Sequence, residues 1–225
     1  MKTSLIVAAL AASALAVGGC ATAPVASPAP NAAGGDSTVS CQYRAAGQAA
    51  RPVNLPPTDK VAASGTTMLT LMLNDKPVPL TLDRKKAPCT VNSFVSLAGQ
   101  GYFDGTSCHR LTTAGGLFVL QCGDPTGTGA GGPGYEFADE LAGITGYPAG
   151  TIAMANAGPG TNGSQFFIVY QDSQLPPNYT VFGTIDAAGL DVVKQIAAKG
   201  QDNSFGSAGG GKPNTPAVIK SVTAG

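Results

Sequence analysis

Tryptophan is absent from the 225 residues, and histidine occurs once, at His109. A single histidine excludes multi-histidine metal sites and makes any His-based catalytic triad depend on one residue. Charge is scarce too: 12% of residues are Asp, Glu, Lys or Arg, about half the usual 25%. Long solvated helices and coiled coils are therefore not expected. The 13 basic residues balance the 13 acidic ones, and no basic run is longer than Arg84-Lys85-Lys86. Nucleic acid is excluded as a partner, because no basic patch stands ready for a phosphate backbone. Five cysteines occur without a C-x-x-C pair, which removes zinc ribbons and thioredoxin-type dithiols. No apolar run reaches the ~20 residues that a membrane-spanning helix needs. A G-x-S-x-G elbow is also missing, so hydrolysis has no support.

What is present begins with an apolar run at residues 5–17, preceded by Lys2, which fits the hydrophobic region of a secretory signal. It ends in Val17-Gly18-Gly19-Cys20, which resembles a bacterial lipobox, with cleavage before Cys20 and lipid on its sulfur. Each buried CH₂ contributes about 0.8 kcal/mol to such an anchor, and two or more chains hold stably. Residues 1–19 are thus expected to be a lipoprotein signal peptide, and the mature protein to sit lipid-anchored on the extracytoplasmic face of the cell membrane. Residues 20–64, rich in Ala, Pro, Gly and Ser without apolar period, read as a tether with local ordering at Cys41-Gln42-Tyr43. Residues 65–225 read as one domain. Apart from Cys20 there are four cysteines, Cys41, Cys89, Cys108 and Cys122. They are compatible with two disulfides in three connectivities or with buried thiols.

Within the domain the pattern is mainly β. Residues 68–73 and 78–82 flank the turn cluster Asn74-Asp75-Lys76-Pro77. Six more strand-like runs follow at 108–111, 117–122, 151–155, 165–170, 179–185 and 217–223. Two helices are predicted. One carries Val91, Phe94, Val95 and Ala98 between Pro88 and Gly99; the other carries Leu190, Val193, Ile196 and Ala197 before Lys199-Gly200. Eight short strands suit a sandwich or a closed barrel, with the helices free to plug open ends.

Several motifs carry no chemistry when weighed. The G-x-G-x-x-G of residues 127–132 is followed by Pro133-Gly134, which leaves no helix N-terminus for a phosphate. Cys108 and His109 are neighbours on a strand, so their side chains point apart. Asp139-Glu140 reads as a solvated turn. The more telling stretches are Cys108-His109-Arg110-Leu111 and Leu117-Phe118-Val119-Leu120-Gln121-Cys122-Gly123-Asp124. Further on come Phe137-Ala138-Asp139-Glu140, Met154-Ala155-Asn156-Ala157-Gly158-Pro159, Thr161-Asn162-Gly163-Ser164-Gln165-Phe166-Phe167 and Val181-Phe182-Gly183. In kind and order these blocks resemble the cyclophilin family of peptidyl-prolyl cis–trans isomerases, over about residues 68–222.

The resemblance implies a closed eight-stranded antiparallel β-barrel capped by two α-helices. It implies accelerated rotation about X–Pro bonds in exported polypeptides, which assists folding and needs no cofactor and no metal. Proline-containing polypeptides would be the partners, beside the membrane that the lipid anchor contacts, and the protein would be a monomer. The catalytic set would be Arg110, His109, Phe118 and Gln121. Substrate would be held by Val119, Ala155, Asn156, Ala157, Gln165, Phe167, Leu175 and Tyr179, while Phe166 and Phe182 would be core. Neighbouring strands would pair Cys108 with Cys122, leaving Cys41 with Cys89. A binding module that holds proline segments without turnover would use the same groove. The sequence departs from the family pattern in two extra residues within 112–115, in Cys122 after the glutamine, and in Val119 for methionine. Gln174 stands where many members have tryptophan, which implies weak cyclosporin binding.

Overall fold

Leucine and valine at every second position give residues 66–83 two runs, each with one face to bury. In the computed structural model, which describes residues 37–206 and 209–225, these runs form a hairpin. In chain order the elements are β1 (Thr38–Val39), β2 (Arg44–Ala45), β3 (Val61–Ala62), β4 (Thr66–Leu73), β5 (Lys76–Asp83) and α1 (Pro88–Gly99). Then follow β6 (Thr106–Ser107), β7 (Arg110–Leu111), β8 (Val119–Cys122), β9 (Tyr135–Glu136) and β10 (Thr151–Met154). The chain closes with β11 (Phe166–Val169), β12 (Val181–Ile185), α2 (Ala187–Ala197) and β13 (Val218–Ala224). The expected signal peptide, Cys20 and the first part of the expected tether lie outside the described residues. Among the described residues, no helix is long and apolar enough to cross a membrane.

The turn between β4 and β5 places Asn74 and Asp75 at φ 49° and 64°, the left-handed pair a tight hairpin demands. Leu71, Leu73, Val78, Leu80 and Leu82 are fully buried from this hairpin alone. The main sheet is antiparallel throughout, in the order β6-β13-β4-β5-β12-β10-β11-β8-β7. It is a curled sheet of nine strands rather than the closed set of eight expected. The additional strand arises because the run predicted at 108–111 begins earlier, at Thr106, and is interrupted at Cys108-His109. Its first half pairs with β13 and its second with β8. Inside the curl Phe94 stacks on Phe103 at 5.0 Å and meets Phe166 and Phe182 at 5.3 and 5.2 Å.

Both helices begin as the residues require. Asp186 caps α2 by accepting from the Gly189 amide at 2.7 Å, and Lys194 occupies the last turn. α1 has Pro88 in its first turn and no local side-chain cap. Glu140 instead reaches across the fold to accept from the Cys89 and Thr90 amides at 3.1 and 2.9 Å. The Asp139-Glu140 pair is therefore not a solvated turn: Glu140 complements the positive end of α1, and Asp139 organises a loop beside the site.

Residues 37–64 differ most from expectation, because they are not a tether. β1 pairs with β3, β2 pairs with β9, and Cys41 is joined to Cys89 at the start of α1. The Tyr43 hydroxyl donates to the Cys89 carbonyl at 2.8 Å, and its ring packs edge-on to Tyr135 and Phe137. Arg51 Nη1 donates to the carbonyls of Gly101, Tyr102 and Asp104. Half of its apolar residues are alanines, and a strap with so few large apolar side chains cannot order itself. It orders by borrowing buried surface and carbonyl acceptors from the domain it crosses.

Candidate active site

Strand alternation sets the site. On β8 and the residue pair before it, Leu117, Val119 and Gln121 point to one face, while Leu120 and Cys122 point into the core. Across β11, Phe167 lies beside Val119 in a second apolar cluster with Tyr147 and Ala153. Leu175 and Tyr179 close it from the following loop. The result is an apolar cup of about 200 Å³, lined by Leu117, Val119, Phe167, Leu175, Tyr179, Ala155 and Asn156, with Arg110 and Gln121 at its rim. Tyr147 fixes the far wall: its hydroxyl donates to the Tyr179 carbonyl and accepts from the Tyr179 amide, each at 3.0 Å.

Arg110 is held from two sides. Nε donates to the Gly209 carbonyl at 2.7 Å and Nη1 to Gln121 Oε1 at 3.2 Å. Gln121 Nε2 donates to Gln165 Oε1 at 3.0 Å, and Gln165 Nε2 to the carbonyls of Gly129 and Gly131. Partial burial lowers the Arg110 pKa, yet a guanidinium stays charged in any aqueous range. The far end of the relay is anchored by Asp124, which accepts from the Thr126, Thr128 and Gly129 amides. Burial raises the Asp124 pKa, but its hydrogen bonds outweigh that and hold it below the ordinary carboxylate value. Asn156 donates to the Asn178 carbonyl at 2.9 Å, while Asp139 accepts from Gly160 and Asn162. These bonds fix the loop between β10 and β11.

Of the residues expected at the site, Arg110, Gln121, Val119, Ala155, Asn156, Phe167, Leu175 and Tyr179 converge on the cup. Gln165 and Ala157 line an adjoining groove of about 510 Å³ that shares Gln121, Ala155 and Asn156 with it. Two, Phe118 and His109, line neither. Phe118 packs on the main core, edge-on to Tyr170 at 6.0 Å, and faces a separate cavity beside α2. The place proposed for it is taken by Leu117, since Phe118 is one residue out of phase with Val119 and Gln121. The turn at Gly115 and Gly116, with φ 67° and 76°, brings Leu117 in at that phase; two extra residues in this loop make room for it. His109 is 4% exposed, with neither ring nitrogen hydrogen-bonded, and lies beneath Gly129 rather than in the cup. Burial lowers its pKa, against the pull of Asp124, so it is neutral near pH 7. The structure joins Cys108 to Cys122 as well as Cys41 to Cys89.

Reading the sequence missed Leu117, Tyr147 and the Gly209 carbonyl. Counting back by twos from Gln121 would have found Leu117. Nothing local marks Gly209, 99 residues from its partner Arg110.

A cationic fork fixed beside an apolar cup can hold and orient an uncharged, partly apolar chain. The chain belongs to the family described as cyclophilin type peptidyl-prolyl cis-trans isomerase/CLD, whose model matches residues 68–224. It is 50% identical over 197 residues to a Mycobacterium tuberculosis protein named probable peptidyl-prolyl cis-trans isomerase B, covering 81% of this chain and 62% of that one. The chain thus spans less than two thirds of the length of that relative. It is 41% identical over 177 residues to peptidyl-prolyl cis-trans isomerase A of the same species, covering 70% of this chain and 92% of that one. A crystal structure of a Cryptosporidium parvum cyclophilin type isomerase superposes with a TM-score of 0.60 at 29% identity, covering 72% of this chain and 98% of that one. A second structure of that protein, in the presence of the dipeptide Ala-Pro, gives 0.59 at 29% identity, covering 70% and 98%. The mainly β fold with two helices is that of this family.

Proposed function

We propose that this protein accelerates cis–trans rotation about X–Pro bonds in exported polypeptides. Rotation is slow because amide resonance opposes it with a barrier of roughly 18–20 kcal/mol. As the bond twists, the prolyl nitrogen pyramidalises and becomes a hydrogen-bond acceptor, which the planar amide is not. A donor already fixed at that place binds the twisted form more tightly than either planar isomer, and this difference lowers the barrier. The observation that carries the reading is Arg110, held at Nε by Gly209 and at Nη1 by Gln121 at the rim of a proline-sized apolar cup. Ala155 and Asn156 form the adjoining wall along which a peptide would run. No proton moves and no covalent bond forms, which suits a site without a base.

Family membership supports proline-containing peptides as substrate, and so does the neighbour's structure in the presence of the dipeptide Ala-Pro. The end strands β6 and β7 are separated by two residues, which supports reading the curled sheet as a barrel closed through residues 106–111. The apolar run and Val17-Gly18-Gly19-Cys20 support lipid anchoring at the extracytoplasmic face.

The test is exchange spectroscopy on an unstructured peptide with one X–Pro bond. The native protein should raise the exchange rate. Folded Arg110→Ala should lose about 10²–10³ of that effect, the typical cost of one preorganised donor. Arg110→Lys should recover little, since it lacks the planar fork. Native-rate catalysis by folded Arg110→Ala would refute the mechanism. Peptide binding without any acceleration by the native protein would make it a proline-binding module.

A further inference from the structure

The basic run Arg84-Lys85-Lys86 takes no part in the cup. It begins where β5 ends, and the Arg84 amide donates to the Gly65 carbonyl at 3.1 Å, just before β4. Going back from Gly65, the Ala63 amide donates to the Ser37 carbonyl at 2.8 Å, and β3 leads to Lys60. Ser37 is the first described residue, 17 residues on from Cys20. Four basic side chains thus gather at the corner where the N-terminal segment enters the domain. We infer that this corner is the face the anchored protein turns to an anionic lipid surface. The inference rests on the lipid-anchor reading for its setting, but the face itself is made of domain residues.

The cations are available. Lys60, Lys85 and Lys86 are exposed, and among the described residues none of the four forms an ion pair. The nearby acids are engaged elsewhere: Asp83 accepts from the Lys85 and Lys86 amides, Glu140 from those of α1, and Asp59 from the Ser40 hydroxyl. Apolar side chains stand beside the charges. Leu69, Leu71 and Leu73 take the buried face of β4, so Met68 points outward and is 59% exposed, while Val39 in β1 is 37% exposed. An exposed apolar side chain among cations suits the boundary of headgroups and acyl chains, whereas a soluble polyanion would use the charge alone. Covalent reach favours this end as well. Seventeen residues span at most ~60 Å, and the turn end of the eight-residue hairpin is about 25 Å farther along. Each cation near an anionic surface contributes about 1 kcal/mol, which is too little to hold the protein without lipid. The corner therefore orients an anchored domain rather than recruiting it.

The experiment measures partition of the full chain, without lipid, into vesicles of phosphatidylcholine alone and vesicles that also contain phosphatidylglycerol. The apolar run at residues 5–17 and Lys2 act equally in every variant, so differences between variants isolate the corner. Lys85→Gln/Lys86→Gln should lower the preference for anionic vesicles by roughly thirtyfold, the equivalent of two such charges. The chain has no tryptophan, so a single introduced indole reports on its own position. Met68→Trp emission should shift to the blue on anionic vesicles. Phe205→Trp should not shift, because Phe205 lies in the loop leading to the turn end of the hairpin, where the Pro216 carbonyl accepts from Asn74 at 2.6 Å. If the folded double variant keeps the native preference, or the two indoles respond alike, the inference is overturned. A native protein that carries no lipid on Cys20 in cells would refute the anchor and leave these vesicle results as they are, so the two readings fail separately.

Discussion

Truncating Leu117 and Phe118 separately distinguishes the observed site from the one the family pattern implies. Leu117 is half-buried at the cup, whereas Phe118 packs against Tyr170 and the core. Leu117→Ala removes three carbons, worth about 2.4 kcal/mol at ~0.8 kcal/mol per fully buried CH₂. Because the side chain is half-covered before substrate arrives, about half of that, ~1.2 kcal/mol, is realised when the proline ring enters. The corresponding loss in kcat/KM is roughly eightfold, since about 1.36 kcal/mol is a factor of ten. Phe118→Ala should act on stability instead. A fully buried Phe→Ala costs about 3–5 kcal/mol, so this half-buried ring should cost about 2 kcal/mol. That lowers the melting temperature by about 4–8 °C in a chain of this size, while kcat/KM changes less than twofold. Exchange rates and thermal melts on the two variants give the answer. If folded Phe118→Ala loses catalysis and Leu117→Ala does not, the assignment of the cup is wrong.

Further outcomes follow from the same geometry. The exchange rate should show no step from a histidine, because His109 is buried and outside the cup. Stability should respond, however: the unfolded imidazole binds its proton near 6.5 while burial lowers the folded value. The unfolded state therefore binds more protons, and stability should fall as pH drops from about 6.5 through the folded pKa; His109→Gln should flatten that slope in thermal melts. Cys41 and Cys89 are 48 residues apart and Cys108 and Cys122 are 14 apart, so loop closure assigns the two bridges about 4 and about 3 kcal/mol. Denaturant titration of Cys41→Ser/Cys89→Ser and Cys108→Ser/Cys122→Ser measures both, and four free thiols in the unfolded, unreduced domain would refute the pairing. For the anchor, Cys20→Ala should release the protein from membranes or leave the precursor uncut; equal soluble recovery of processed native and variant protein would refute lipidation.

The sequence by itself determined whatever depends on local order. Alternation in residues 66–83 dictated the hairpin, Pro88 and Gly99 bounded the first helix, and the blocks around Arg110, Gln121 and Asn156 identified the family and most of the cup. These signals survive in one dimension because a strand's two faces and a helix's stripe are set by residue spacing alone. Only the tertiary structure decided the rest. Phase along β8 put Leu117 in the cup and Phe118 behind it, once the turn at Gly115 and Gly116 had fixed where the strand begins. The carbonyl that fixes Arg110 comes from Gly209, and the cap of α1 comes from Glu140. Residues 37–64 carry the composition of a tether, yet they fold because their burial and hydrogen-bond partners belong to other elements. Backbone carbonyls have no sequence signature, and a segment that is ordered by its neighbours cannot show that order in its own composition.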